Sequence, residues 1–77
     1  MDQREVDFLI GDEIAIEVIP SNRIQSKDLK ALREITEEGT WRQRILVCTI
    51  EKPELTDDGI LVLPIEDFLN RLWAGEY

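Results

Sequence analysis

The sequence predicts an α/β (α+β) fold of order β-β-α-β-β-α, in which helices flank a mixed sheet. Three observations lead to this prediction. Two short segments rich in Val, Ile and Phe near the start alternate with a period of two. A helix-like segment precedes a wholly apolar run at 45–48, and the last third ends in an amphipathic helix. The 77 residues fit a single domain, 1–77, with room for one core.

The two N-terminal segments, 5–10 and 14–19, are expected to form a hairpin. Apolar side chains share one face of each strand because successive side chains point to opposite faces. These faces meet only if the connecting loop has an odd number of residues. A three-residue loop at 11–13 places Ile10 opposite Ile14 and keeps the hydrophobic set together.

The same register places Phe8 opposite Ile16 and, on the other face, Asp7 directly opposite Glu17. Opposed like charges on a sheet cost on the order of 0.2–1 kcal/mol, so the pair needs a reason. Three explanations stay open: a cation lies between the carboxylates, one carboxylate is protonated, or a basic side chain such as Arg4 reaches in.

A helix is predicted over 27–38, with Ser26 as its N-cap and Gly39 as its C-terminal stop. Asp28 stands in the first turn, where the helix dipole favours negative charge. The next strand, 44–50, contains the run Ile45-Leu46-Val47-Cys48 without polar alternation, which indicates burial on both faces. Strand, helix and strand over this length form a right-handed parallel crossover. The apolar stripe of this helix consists of Leu29, Leu32 and Ile35.

The last third begins with a turn-rich connection at 51–59, followed by a strand at 60–63. Pro64 then opens a closing helix. Its apolar residues recur at helical spacing and are expected to pack in the core: Ile65, Phe68, Leu69, Leu72 and Trp73.

One face of the hairpin, carrying Leu9, Ala15 and Ile19, is expected to lack cover from within the chain. An uncovered apolar face indicates a partner surface. The sequence is therefore interpreted as a C-terminal fragment or minimal version of a larger protein, or as a chain that pairs with another copy or another domain.

Composition narrows the chemistry. Seventeen acidic and nine basic residues give a net charge of −8, which repels a phosphate backbone, so autonomous nucleic-acid binding is not expected. The chain has no histidine, so catalysis would depend on carboxylates, lysines or a hard metal ion.

No apolar run is long enough to span a membrane and the N-terminus does not resemble a secretory signal, so we expect a cytoplasmic protein. Cys48 lies in an apolar run and is expected to be a buried hydrophobe.

Basic residues recur along the first helix with a spacing of three: Lys27, Lys30 and Arg33, with Arg23 just before them. Acidic residues are interleaved with them on the same helix. This pattern is typical of a solvated helix face.

The hairpin residues Glu5-Val6-Asp7-Phe8-Leu9-Ile10 and Ile14-Ala15-Ile16-Glu17-Val18 resemble the core of the PD-(D/E)XK nuclease superfamily. The chain is most similar to the nuclease-like C-terminal domain of unknown function that follows an AAA-type ATPase in many bacterial and archaeal proteins. The segments 26–32, 45–48 and 63–69 share this resemblance. It implies a truncated restriction-endonuclease-like fold.

For function, the resemblance implies that Asp7 and Glu17 would hold a magnesium ion. Active members have a lysine two residues after the glutamate, and here that position is Ile19. Isoleucine cannot donate a hydrogen bond or stabilise developing negative charge. Arg23 or Lys27 would have to compensate. The helix and strand that the superfamily places before this hairpin have no counterpart in the sequence.

The leading interpretation is a non-catalytic, nuclease-like accessory or interaction domain associated with an AAA-type ATPase, with a protein partner and no cofactor. One alternative is a magnesium-dependent nuclease with a displaced or missing basic residue, whose metal ligands are Asp7 and Glu17. Another is a small structural protein that associates with itself as a homodimer.

Overall fold

The computed structural model describes residues 8–11, 13–35 and 40–77, with Phe8 described by its backbone alone. Five strands form one mixed sheet in the order β1-β2-β3-β5-β4. One helix lies on each face, which confirms the predicted α/β fold class. The elements are β1 Phe8–Ile10, β2 Ile14–Val18, α1 Ser26–Ile35, β3 Gln43–Cys48, β4 Glu54–Leu55, β5 Leu61–Pro64 and α2 Ile65–Trp73.

The first hairpin has the register that hydrophobic alternation predicts. In the antiparallel pair β1–β2, Phe8 is opposite Ile16 and Ile10 is opposite Ile14. Gly11, at the start of the connection, has a φ of 60°, which glycine adopts without the steric cost that a Cβ would bring. The odd loop length therefore keeps Ile14 and Ile16 together on one buried face.

The three central strands, β2, β3 and β5, run parallel. From Ile45 to Cys48, β3 is buried on both faces, as the apolar run predicts. Strand β2 is joined through α1 to its parallel neighbour β3, which confirms the predicted parallel connection. The sequence did not reveal β4, a two-residue edge strand that pairs antiparallel with β5 inside the predicted connection 51–59.

The α1 face of the sheet has an apolar cluster in which Leu29, Leu32 and Ile35 are buried against the strands. Ala15 is fully buried in this cluster and Ile19 packs against it. The expectation that the face of Leu9, Ala15 and Ile19 lacks cover is therefore wrong at the last two positions, because α1 lies over them. Only Leu9, on the edge strand, is 49% exposed.

The start of α1 differs from the prediction. Ser26 is the first helical residue and not the cap. The backbone N–H of Gln25 donates to the Asp28 carboxylate at 2.8 Å, while the Asp28 N–H donates to the Gln25 carbonyl. Asp28 thus caps the helix from within its first turn, as the acidic member of a capping box does. The predicted stop at Gly39 lies outside the described residues.

Beyond α1, the indole Nε1–H of Trp41 donates to the Ile35 carbonyl at 2.8 Å. Trp41 also packs against the apolar cluster under the helix. The carbonyl of the last residue of α1 thus gains a hydrogen bond from a side chain outside the helix.

The α2 face of the sheet has a second apolar cluster, and α2 packs on β3 and β5. Phe68 is the buried residue of this helix. The expectation that the whole stripe of α2 is core is therefore wrong for the other four apolar residues, which are exposed: Ile65, Leu69, Leu72 and Trp73.

Helix α2 ends in a Schellman turn. The Gly75 N–H donates to the Leu72 carbonyl and the Glu76 N–H donates to the Arg71 carbonyl. Gly75 has a φ of 80°, which a side chain would disfavour. The turn returns the chain to the core, where the Tyr77 ring stacks on Phe68 with centroids 5.7 Å apart.

Across the described residues, neither helix has the length and apolar character needed to cross a membrane.

Candidate functional site

Glu17, one of the two predicted metal ligands, lies in β2. By the alternation of the strand it shares the α1 side of the sheet with Ala15 and Ile19. The residue is half-buried and its Oε1 atom is buried. Asp7 lies outside the described residues, so its contact with Glu17 stays a prediction. The described register begins at Phe8, which is opposite Ile16.

Ile19 occupies the position where the resemblance calls for a lysine. It is half-buried and packs against the apolar cluster beneath α1. Its backbone N–H donates to the Val47 carbonyl at 2.9 Å, which extends the β2–β3 pairing by one residue. The position is therefore built for apolar packing, and a charged amine there would have to leave the cluster to be solvated.

Neither proposed compensating residue lies in the apolar cluster with Ile19. Arg23 is exposed in the connection before α1, where its backbone N–H donates to the Ser21 hydroxyl at 3.0 Å. Lys27 is exposed near the start of α1. It is two residues before Leu29, about 200° around the helix, so it projects away from the sheet that carries Glu17.

The basic residues of α1 line a shallow surface depression of about 380 Å³, together with Ser26 and Glu34. Two of the three basic residues interact with acidic groups. Lys30 Nζ lies 3.9 Å from Glu34 Oε2, and Arg33 Nε lies 2.9 Å from Asp58 Oδ2. This supports the interpretation of a solvated face with balanced charge, because the Lys30 and Arg33 charges are offset by neighbours in the same chain.

Asp58 forms a hydrogen-bonded cluster that the sequence did not reveal. The Thr56 hydroxyl donates to its Oδ1 at 2.6 Å, and Arg33 donates to its Oδ2. These two hydrogen bonds, that from Thr56 foremost, lower the pKa of Asp58 to about 2. The carboxylate thereby joins the turn before β5 to α1.

The same turn is also attached to β3. Arg44 donates to the Asp58 carbonyl, and the Ile60 N–H donates to the Thr56 hydroxyl at 2.9 Å. Gly59 has a φ of 88°, and a Cβ there would approach the Arg44 guanidinium to 3.3 Å. Every partner of Asp58 is thus explained by the architecture, so we assign it a structural role.

Cys48 is fully buried, as predicted, and burial raises the pKa of its thiol above the ordinary value. Such a thiol is a poor nucleophile. Within 8–11, 13–35 and 40–77, no three His, Cys, Asp or Glu residues group as a metal site would require. Because Asp7 lies outside these ranges, the magnesium site at Asp7 and Glu17 stays a prediction.

Comparison with known protein families gives a match over most of the chain. The family model DUF4143, described as a domain of unknown function, matches residues 1–68. Neither the curated proteins nor the solved structures contain a match.

Proposed function

For this chain, which belongs to the DUF4143 family, a domain of unknown function, we propose the role of a non-catalytic accessory domain that acts through protein contacts. In this proposal the domain derives from a PD-(D/E)XK-like nuclease scaffold and is associated with an AAA-type ATPase. The chain uses the scaffold to present surfaces to a protein partner.

The observation that carries the proposal is the packing of Ile19. A nuclease of this kind needs a cation two residues after the metal-binding glutamate, to orient the attacking water and to stabilise the negative charge that develops on phosphate. Here that position lies against the apolar cluster under α1 and contributes to the hydrophobic core. The position that would supply the catalytic cation therefore holds an apolar side chain that stabilises the fold.

Electrostatics also support the proposal. The chain has a net charge of −8, so its long-range field opposes the approach of a polyanionic substrate. The cations on α1 do not reverse this field locally, because Lys30 and Arg33 are each close to a carboxylate of the same chain. Binding to nucleic acid would have to overcome the repulsion from the net negative charge without a locally unbalanced cluster of cations at Lys30 and Arg33.

A plasmid-nicking assay tests the proposal. Supercoiled plasmid is incubated with excess protein in magnesium or manganese, beside Asp7→Ala and Glu17→Gln variants. We expect no metal-dependent nicking by any of the three proteins. Glu17→Gln is a near-isosteric control that removes the charge and keeps the side-chain volume. Robust metal-dependent cleavage that Asp7→Ala abolishes would overturn the proposal and establish the nuclease alternative.

Association with an ATPase is tested separately in the gene that encodes the chain. An upstream Gly-x-x-x-x-Gly-Lys-Ser/Thr phosphate-binding loop would support it, since this motif cradles nucleotide phosphates. A basic residue and an additional acidic residue upstream of the hairpin would instead favour the nuclease.

A further inference from the structure

Helix α2 leaves one side of its apolar surface in solvent. We call this side the α2 flank and define it as Ile65, Leu69, Leu72 and Trp73. The first three are 38–40% exposed and Trp73 is 83% exposed. Their spacing of i, i+4, i+7 and i+8 places all four side chains along one side of the helix.

The α2 flank lies at the margin of the core and outside its fully buried part. Phe68 makes the buried contact of α2 with the apolar cluster, and the helix packs on β3 and β5. Single exposed apolar residues are ordinary, whereas four large ones along one helix side form a patch of the kind that marks an interaction surface. Tryptophan is also enriched among residues that dominate binding energy at interfaces.

Charge around the α2 flank indicates the kind of partner. Glu66 lies three residues before Leu69 and seven before Trp73, so it borders the flank on its solvent side. Arg71, the basic residue of α2, lies instead near Tyr77, where it partly offsets the rise in the phenol pKa that burial causes. The charged α2 residue beside the flank is therefore the acidic Glu66, and the chain as a whole is acidic at −8.

These observations decide between occupants. A second copy of the chain would bring a further net charge of −8 and another Glu66 to the interface. An anionic lipid surface would meet the same repulsion. An occupant of the flank needs an apolar surface and positive charge beside it. A basic amphipathic helix has both, because its apolar side covers the flank while lysines or arginines along its edges attract Glu66.

We propose that the α2 flank is the docking site for an amphipathic helical segment of a protein partner, bordered by Lys or Arg. This inference rests on the proposed role as a protein-contact domain and names the surface and the partner chemistry for it. An amphipathic helix presents its apolar anchors at i, i+3 or i+4, and i+7.

The test is a calorimetric titration of the intact chain with a designed helical peptide of leucine and lysine, about four turns long. A matched peptide with glutamate for lysine is the charge control. We expect the lysine peptide to bind and the glutamate peptide not to bind. Trp73→Ala should weaken binding about tenfold or more, since a large aromatic anchor is lost. Trp73 is mostly exposed, so this variant should remain folded.

Leu55→Ala is the matched control, because Leu55 is also exposed but lies on β4 and outside the flank; it should leave the affinity unchanged. Glu66→Gln should weaken binding by about two- to threefold and reduce its dependence on salt. Equal binding by wild type and Trp73→Ala, equal binding of both peptides, or no binding of the lysine peptide would overturn the inference. A doubled mass in light scattering that Trp73→Ala restores to monomer would assign the flank to a second copy.

Failure of this inference differs from failure of the proposed function. A flat titration without plasmid nicking places the protein contact on another surface of a non-catalytic domain. Metal-dependent nicking overturns the proposed function whatever the titration shows.

Discussion

Three leucines with different exposure test how the core is distributed between the two helices. Leu32 of α1 is 0% exposed, Leu69 of α2 is 39% exposed and Leu55 of β4 is 69% exposed. Leu32→Ala should lower the free energy of unfolding by about 3–4 kcal/mol, from lost burial and the cavity that remains. About three fifths of the surface of Leu69 is buried, compared with all of it for Leu32, so Leu69→Ala should cost about 1–1.5 kcal/mol. Leu55→Ala should cost about 0.5 kcal/mol or less.

These differences are measurable because a chain of this length has a total stability of roughly 4–12 kcal/mol. Urea unfolding followed by far-ultraviolet circular dichroism gives the three values, with equal slopes as the check that the transition stays two-state. If Leu69→Ala were as costly as Leu32→Ala, the α2 flank would be part of the core. The assignment of that flank to a partner would then lose its basis.

Three further predictions concern local contacts. The pKa of Asp58 is depressed to about 2, so its stabilising effect is present above the ordinary value of 3.8 and is lost as the pH falls towards 2; Asp58→Asn should flatten that part of a plot of unfolding midpoint against pH. Gly75→Ala should lower stability by about 1 kcal/mol, because alanine at a φ of 80° is strained, and an unchanged thermal midpoint would contradict the Schellman turn. Trp41→Phe should cost about 1 kcal/mol through the lost hydrogen bond to the Ile35 carbonyl, and a variant as stable as wild type in urea would show that water replaces the indole.

The hairpin register and the parallel strands were predictable from the sequence because they follow from local alternation. Side chains in a strand alternate strictly, so the apolar residues of β1 and β2 share a face only if the loop has an odd number of residues. The observed pairing of Ile10 with Ile14 leaves a three-residue loop between them. An apolar run without alternation likewise indicated burial of β3 on both faces. Each inference needed only near neighbours in sequence.

The features that the sequence did not reveal depend on contacts between distant segments. Cover of Ala15 and Ile19 is set by how far α1 extends across the sheet, and periodicity does not fix that distance. The apolar residues of α2 span an arc of the helix that is wider than the part in contact with the sheet. The residues at one edge of this arc, the α2 flank, are therefore exposed. The bond between Arg33 and Asp58 joins residues 25 positions apart and has no local signal.

The candidate site was predictable in part. The sequence singled out Glu17 and Ile19, and the structure places Glu17 half-buried and Ile19 in apolar packing on the α1 side of the sheet. The contribution of Asp7 lies outside the described residues and stays a prediction. The structural carboxylate, Asp58, was missed because Asp57-Asp58-Gly59 reads only as a turn.

The central claim is that this domain does not cleave nucleic acid, and the most direct test is the rate of manganese-dependent nicking of supercoiled plasmid at excess protein. We predict a rate equal to that of buffer with metal alone, unchanged in the Asp7→Ala variant. A rate above buffer that disappears in Asp7→Ala would contradict the account.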